Sequence, residues 1–224
     1  IITLTNVASS YLKDKYSNQK NMKIYTIPTC TDVDLFSVNI KKSDHLNLIH
    51  LGAIGTRYDF DKYIDLFLKL KVKKKIKLRI INRNEHDLIE RKLKYYEIDF
   101  EDYEIISSEY YEVNQYLLTN SIGVFFPIEG FYLKGYYPTK LGEFLSSGIP
   151  VFTNTINKDV EDLITKNNVG VINSNKIIND NELNNILSIS QQNDISQKCR
   201  NLAIDEFSNI KGSKIYDKIY DMIK

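Results

Sequence analysis

The sequence predicts an α/β fold, a doubly wound, Rossmann-like parallel sheet with additional helices at its C-terminal end, on three observations. Short β-rich apolar runs alternate with longer segments of helical period along most of the chain. Three of those runs, Leu46–Leu51, Ile76–Ile81 and 123–126, are apolar with little alternation, as strands covered on both faces are. The connections are short, and a strand–helix–strand passage of that kind is a right-handed crossover that sets successive strands parallel.

Taken in order, the expected strands are 1–5, 23–27, Leu46–Leu51, Ile76–Ile81, 104–107, 123–126, 151–153 and 170–172. The expected helices between them are 9–16, 61–70, 85–95, 110–118, 139–147 and 160–165. Stretch 173–185 is Asn-rich and polar and reads as a loop, after which helical patterns return at 194–207 and 213–223. Ile215, Ile219, Met222 and Ile223 recur at i, i+4, i+7 and i+8, an apolar stripe that must pack on something. Segment 1–43, a strand, a helix and a strand followed by a linker, lacks partners of its own. It reads as the end of a preceding domain. Residues 44–190 form the Rossmann-like domain, and 191–224 are helices that pack back toward that preceding domain. The chain opens Ile1-Ile2-Thr3 without Met, as an excised piece does.

Composition narrows the class. At 224 residues with 42% hydrophobic and 26% charged residues the chain is an ordinary globular one. Thirty basic against 29 acidic residues argue against a dedicated nucleic-acid binder. The basic run 69–77 reads as a solvated helix end. Cys30 and Cys199 are far apart without metal spacing, so a reduced, cytoplasmic chain is expected. No apolar run approaches the ~18 residues of a membrane span.

In an open α/β sheet, ligands bind beyond the carboxyl ends of the strands. One loop there is Gly52-Ala53-Ile54-Gly55-Thr56-Arg57, whose glycines Gly52 and Gly55 let the backbone come close to a ligand. Amides at the following helix start would favour phosphate oxygens, and Arg57 can pair with phosphate bidentately. The loop lacks the third glycine of a dinucleotide fingerprint and is too short for a P-loop.

The segment Tyr136-Tyr137-Pro138-Thr139-Lys140-Leu141-Gly142-Glu143 says more. Proline suits a helix start, and the free amides of Thr139, Lys140 and Leu141 would point at an anion, with Lys140 adding a full charge. Glu143 lies one turn later on the same face and can accept from a vicinal diol such as a ribose. The bland alternative is a surface i, i+3 ion pair. Ser107 and Ser108, at a strand end, could face a nucleobase. Asp32-Val33-Asp34 reads as linker rather than a metal pair, and His45, His50 and His86 share no metal spacing. His50 reads as a packed core imidazole and His86 as solvated, while Tyr110, Tyr111 and Tyr116 read as packing residues. No G-x-S-x-G elbow is present.

Several of these motifs, in this order, resemble the large retaining glycosyltransferase family of two Rossmann-like domains (the GT-B fold). Ile27-Pro28-Thr29-Cys30-Thr31-Asp32 with Phe36 resembles its interdomain linker, and 46–55 its first strand and glycine loop. Segments 121–127 and 138–151 resemble its "K-x-x-E-x-L-A-x-G-x-P-V" core. The resemblance implies a donor-binding half that takes a nucleotide-diphosphate sugar without a cofactor or an obligatory metal. Glu143 matches the ribose-binding Glu, and Gly52–Gly55 the loop near the diphosphate. It implies an acceptor, a glycan or lipid-linked, held by the preceding domain, with peripheral association at the inner membrane face within the same expectation, and no turnover by this half alone. Two departures stand out: Gly135 occupies the slot of the family's first Glu, and Ala53 that of its loop Arg, leaving Arg57 or Lys140 to supply charge. Alternatives are a sugar-nucleotide epimerase of the same fold and a non-catalytic assembly or regulatory domain.

Overall fold

A computed structural model describes residues 1–19, 22–39, 45–55 and 57–222. The expected domain boundary at 43/44, Thr56 and Ile223 lie outside them. The six strands β3 (Leu46–Leu51), β4 (Ile76–Ile81), β5 (Tyr103–Ile106), β6 (Ser121–Phe125), β7 (Val151–Asn154) and β8 (Gly170–Asn173) form one all-parallel sheet, ordered β5-β4-β3-β6-β7-β8. Counted within the sheet this is the 3-2-1-4-5-6 order of a doubly wound fold. The order reverses between β3 and β6, so the crevice at their carboxyl ends is where a ligand is expected.

The helices that cover the sheet follow from their caps and apolar faces. Helix α2 (Phe60–Lys71) is capped by Asp59, whose carboxylate accepts from the Lys62 amide at 2.9 Å, and buries Phe60, Tyr63, Ile64, Phe67 and Leu70. Helices α3 (His86–Tyr95), α4 (Thr139–Ser146) and α5 (Lys158–Lys166) match the expected positions within three residues. Helix α6 (Asp180–Ser190) was not expected. Its Asn-rich sequence hides a capping box, in which Asn179 accepts from the Glu182 amide and Glu182 answers to the Asn179 amide, and buried Leu183, Ile186 and Ile189 recur every third residue.

Segment 110–116 is 3₁₀ rather than α-helical. Val113 is buried and Tyr116 packs against the core at three-residue spacing, the period of that tighter turn. Further 3₁₀ turns that were not expected cover 100–102 and 131–135.

The N-terminal unit, β1 (Ile2–Thr3), α1 (Asn6–Lys15) and β2 (Tyr25–Thr26), is a small parallel pair with its crossover helix. It does not stand free. Asp159 of α5 accepts from the Val7 amide and the Asn6 side chain, both at 3.0 Å, and Thr5 bonds the Lys134 carbonyl. The linker is held from the other side. Arg200, on α7 (Ile195–Phe207), donates to the carbonyls of Val33, Phe36 and Ser146, and so ties the linker to the end of α4. Gly142 of α4 is required where they meet, because a Cβ there would lie 2.2 Å from Thr31 Oγ1. Helix α8 (Asn209–Asp221) extends the C-terminal pattern: Ile219 is buried, Met222 is exposed, and Gly212 packs on Cys30. Among the described residues no helix is long and apolar enough to cross a membrane.

Candidate functional site

At the β3/β6 reversal the structure opens a cavity of about 350 Å³. Gly52, Thr139, Lys140 and Glu143 line it on one side, with an aromatic wall that includes Phe36, Tyr58, Tyr110 and Tyr136 on the other. Helix α4 starts at this cavity without a side-chain cap: Pro138 precedes it in extended geometry, φ −68° and ψ 121°, and offers no oxygen to the first turn. The amides of Thr139 and Lys140 have no acceptor within the helix and add a partial positive charge. The Leu141 amide, expected to be free, is instead bonded to the Pro138 carbonyl at 3.1 Å, because the first turn closes on its own carbonyl. The Leu141 side chain is fully buried.

Lys140 is the centre of the site. Its ammonium is buried without a hydrogen-bond partner among the described residues and sits 3.5 Å from the centroid of the Tyr58 ring. Burial away from water lowers its pKa to about 7, against the opposing pull of the Glu143 and Glu85 carboxylates. Glu143 is 7% exposed, and burial raises its carboxyl to about 7, with Lys140 pulling it down. No Lys140–Glu143 contact falls within ion-pair distance among the described residues. The surface ion-pair alternative is thereby excluded. A desolvated amine and a desolvated carboxyl instead face one cavity without neutralising each other. Isolated buried charges are costly, so such a pair is poised to gain from a ligand that satisfies both.

The glycine loop is arranged differently from the expectation. Gly52 lines the cavity with φ +90°, a conformation that favours glycine, and a Cβ there would lie 3.5 Å from the Lys140 ammonium nitrogen. The amides of Ile54 and Gly55 are not free: both donate to Glu85, at 2.8 and 3.1 Å. The start of α2 is not open to phosphate either, since Asp59 caps it with a carboxylate. Gly52→Ala is expected to cost about 1–2 kcal/mol of stability through the positive φ alone. In urea unfolding the midpoint should fall with the slope unchanged.

Other expected residues lie further out. Arg57 and Ser107 are exposed and do not line the cavity; Arg57 is nonetheless near enough to Tyr58 and Tyr136 to lower their hydroxyl pKa values against the larger, upward effect of burial. Ser108 bonds the adjacent Glu109 carbonyl. Gly135 ends the 131–135 turn beside α1, where a Cβ would meet Ala8 at 3.8 Å. Glu129 lines a separate polar cavity of about 460 Å³ with Asp59, Lys62, Asn154 and Asn173.

His50 is a core imidazole, as expected. It is fully buried against Phe60 and Tyr63, and burial lowers its pKa to about 3. His86 is half-buried, with Nε2 against the Asn82 carbonyl at 2.7 Å. Asp32 holds an Asx turn with the Asp34 and Leu35 amides, and no cluster of three or more His, Cys, Asp or Glu occurs among the described residues. Tyr110 packs edge-on against Phe36 at 5.4 Å, as a packing residue would, yet is 52% exposed in the cavity wall. Tyr58, Glu85 and Asn82 were missed by sequence reasoning. Each had only a positional signal: Tyr58 follows Arg57 at the end of the glycine loop, and Asn82 and Glu85 lie in the loop after Ile81, one of the loops beyond a strand's carboxyl end where ligands are expected.

The sheet order is that of a doubly wound, Rossmann-like domain, and the fold is the one seen in the C-terminal type of domain of GT-B glycosyltransferases. Solved structures of such enzymes share it at low sequence identity. A glycosyltransferase from Rickettsia africae superposes with a TM-score of 0.77 at 16% identity, over 99% of this chain and 62% of that one. The pneumococcal O-GlcNAc transferase GtfA, solved with UDP and GlcNAc, superposes with a TM-score of 0.72 at 12% identity, over 99% of this chain and 44% of that one. Anabaena HepE, solved with UDP and glucose, gives 0.71 at 10% identity, over 98% of this chain and 62% of that one. The chain thus spans less than two thirds of the length of these structures. No family model and no curated protein matches the sequence.

Proposed function

We propose that this chain is the donor-binding half of a glycosyltransferase that moves a sugar from a nucleotide-diphosphate sugar to a glycan or lipid-linked acceptor. The observation that carries this reading is the unpartnered, buried Lys140 ammonium at the uncapped start of α4, one turn before buried Glu143. In this reading the Thr139 and Lys140 amides and the Lys140 ammonium hold the diphosphate and offset charge on the leaving group. Glu143 accepts from the ribose hydroxyls, and the base lies against Tyr110. The cation at the diphosphate makes a metal unnecessary, and transfer with retention of configuration belongs to the same proposal. So does the assignment of 1–43 and 191–224 to a junction with an acceptor-binding half. Two of the similar structures were solved with UDP and a sugar, which supports the donor class.

One observation favours a second reading, a non-catalytic domain that kept the nucleotide site. Gly135, in the slot of the expected first Glu, lies beside α1 and does not line the cavity, and among the described residues Glu143 is the one carboxylate in its lining. A melting-temperature screen against UDP, GDP, ADP, TDP and CMP tests the nucleotide reading common to both. Stabilisation by one or more nucleoside diphosphates over CMP is expected; a flat response to all five contradicts it.

A further inference from the structure

The amides of the glycine loop carry an anion of the protein's own. Both oxygens of the Glu85 carboxylate are engaged: Oε2 accepts from Ile54 N and from Asn82 Nδ2, each at 2.8 Å, and Oε1 accepts from Gly55 N at 3.1 Å. The carboxylate is delivered by design of the β4–α3 turn. Asn82 is buried, and its Oδ1 accepts from the Asn84 and Glu85 amides while its Nδ2 also bonds the Gly52 carbonyl at 3.1 Å. Gly55 is needed for this approach, since a Cβ there would lie 2.7 Å from Glu85 Oε1. A pair of adjacent backbone amides converging on two oxygens is the geometry that also receives a phosphate. Across the loop, at Gly52, lies the Lys140 ammonium, buried and without a hydrogen-bond partner among the described residues.

We propose that the Ile54–Gly55 amide pair is a phosphate-class anion subsite continuous with the Lys140 cavity, and that Glu85 occupies it as an internal competitor until a diphosphate displaces it. The inference rests on the donor-binding reading, because that reading brings a diphosphate to Lys140. A dianion arriving there meets a second carboxylate nearby. Binding that leaves Glu85 in place carries a like-charge cost; binding that expels it gains two amide donors. The carboxylate then turns outward to solvent, giving up its hydrogen bonds from Ile54 N, Gly55 N and Asn82 Nδ2 for water, and no protonation is required. Glu85 therefore lowers affinity while keeping the empty loop ordered.

The test is calorimetric titration of inorganic pyrophosphate and of UDP into the native chain, Glu85→Ala and Glu85→Gln, with thermal melting to confirm that each variant folds. Glu85→Ala should bind pyrophosphate at least about five-fold more tightly than the native chain, with Glu85→Gln in between because it keeps the shape and loses the charge. Equal or weaker pyrophosphate binding by both folded variants overturns the proposal and makes Glu85 a structural clamp of the loop. The two readings separate in this experiment. Tighter pyrophosphate binding without any UDP binding sustains the subsite and sinks the nucleotide donor, whereas UDP binding unaffected by either variant does the reverse.

Discussion

Lys140→Met is expected to make the ligand-free protein more stable and to abolish most of its affinity for nucleoside diphosphates. The opposite signs come from one cause, an ammonium held out of water against the Tyr58 ring with no hydrogen-bond partner among the described residues. Its pKa is lowered from 10.5 to about 7 on folding, so the folded state disfavours the charged form. Below pH 7 the lysine is charged in both the folded and unfolded chain and the full cost is present. Between about 7 and 10.5 the folded chain has released the proton and the unfolded chain has not, so the native protein gains stability as pH rises. Methionine has a similar length and no charge. The variant should gain on the order of 2 kcal/mol at pH 6, and the gain should fade toward pH 10. In the complex a charge-assisted contact of about 2–3 kcal/mol is lost, roughly a 30- to 150-fold rise in Kd. Urea unfolding at pH 6 and pH 10 and a UDP titration read the two effects. A variant that is less stable at pH 6, or that binds UDP as well as the native chain, contradicts the role given to Lys140.

Glu143→Ala should weaken UDP binding about ten- to thirty-fold, and the loss should be specific to the ribose. A carboxylate that accepts from both hydroxyls distinguishes UDP from 2′-deoxy-UDP, and the variant should bind the two alike. The pH dependence carries the same assignment. Burial raises the Glu143 carboxyl to about 7, so it is increasingly protonated below that pH and loses acceptor capacity. Lys140, also near 7, loses its charge above it. Affinity for UDP-glucose, whose diphosphate does not titrate in this range, should therefore peak near pH 7 and fall on both sides, with the two values belonging to the pair. Removing Glu143 should flatten the acid side and leave the alkaline side. An unchanged preference for UDP over 2′-deoxy-UDP in the variant would show that the ribose lies elsewhere.

How much of this was legible depended on the range of the interaction. Strands β3 and β4 were readable to the residue, because each is a six-residue run of mostly apolar, β-rich sequence bounded by polar turns, with β3 buried along its whole length and β4 at its four apolar positions. The pairing of Lys140 with Glu143 on one helix face was readable too, since helical geometry relates residues three apart without reference to the rest of the fold. Their burial was not, as it depends on Tyr58, Phe36 and Tyr110 arriving from three other segments. The glycine loop was located, but its occupant was not: Glu85 reaches Gly55 across 30 residues of chain, and nothing local marks a carboxylate for that destination. Helix α6 was missed because asparagine is a poor helix former except where one begins, and Asn179 stands at that position. The free amide expected at Leu141 failed for a local reason, since the first turn satisfied it internally.

In the proposed complex a diphosphate recharges the half-neutral Lys140, and proton uptake on binding measures that event directly. The nucleoside diphosphate giving the largest melting shift should be titrated at pH 8 in two buffers of different ionisation enthalpy. At that pH Glu143 is already mostly ionised and Lys140 mostly neutral, so binding should take up about one proton per nucleotide, and Lys140→Met should take up none. Saturable binding with no proton uptake by the native chain, or no binding by any nucleoside diphosphate, contradicts the account.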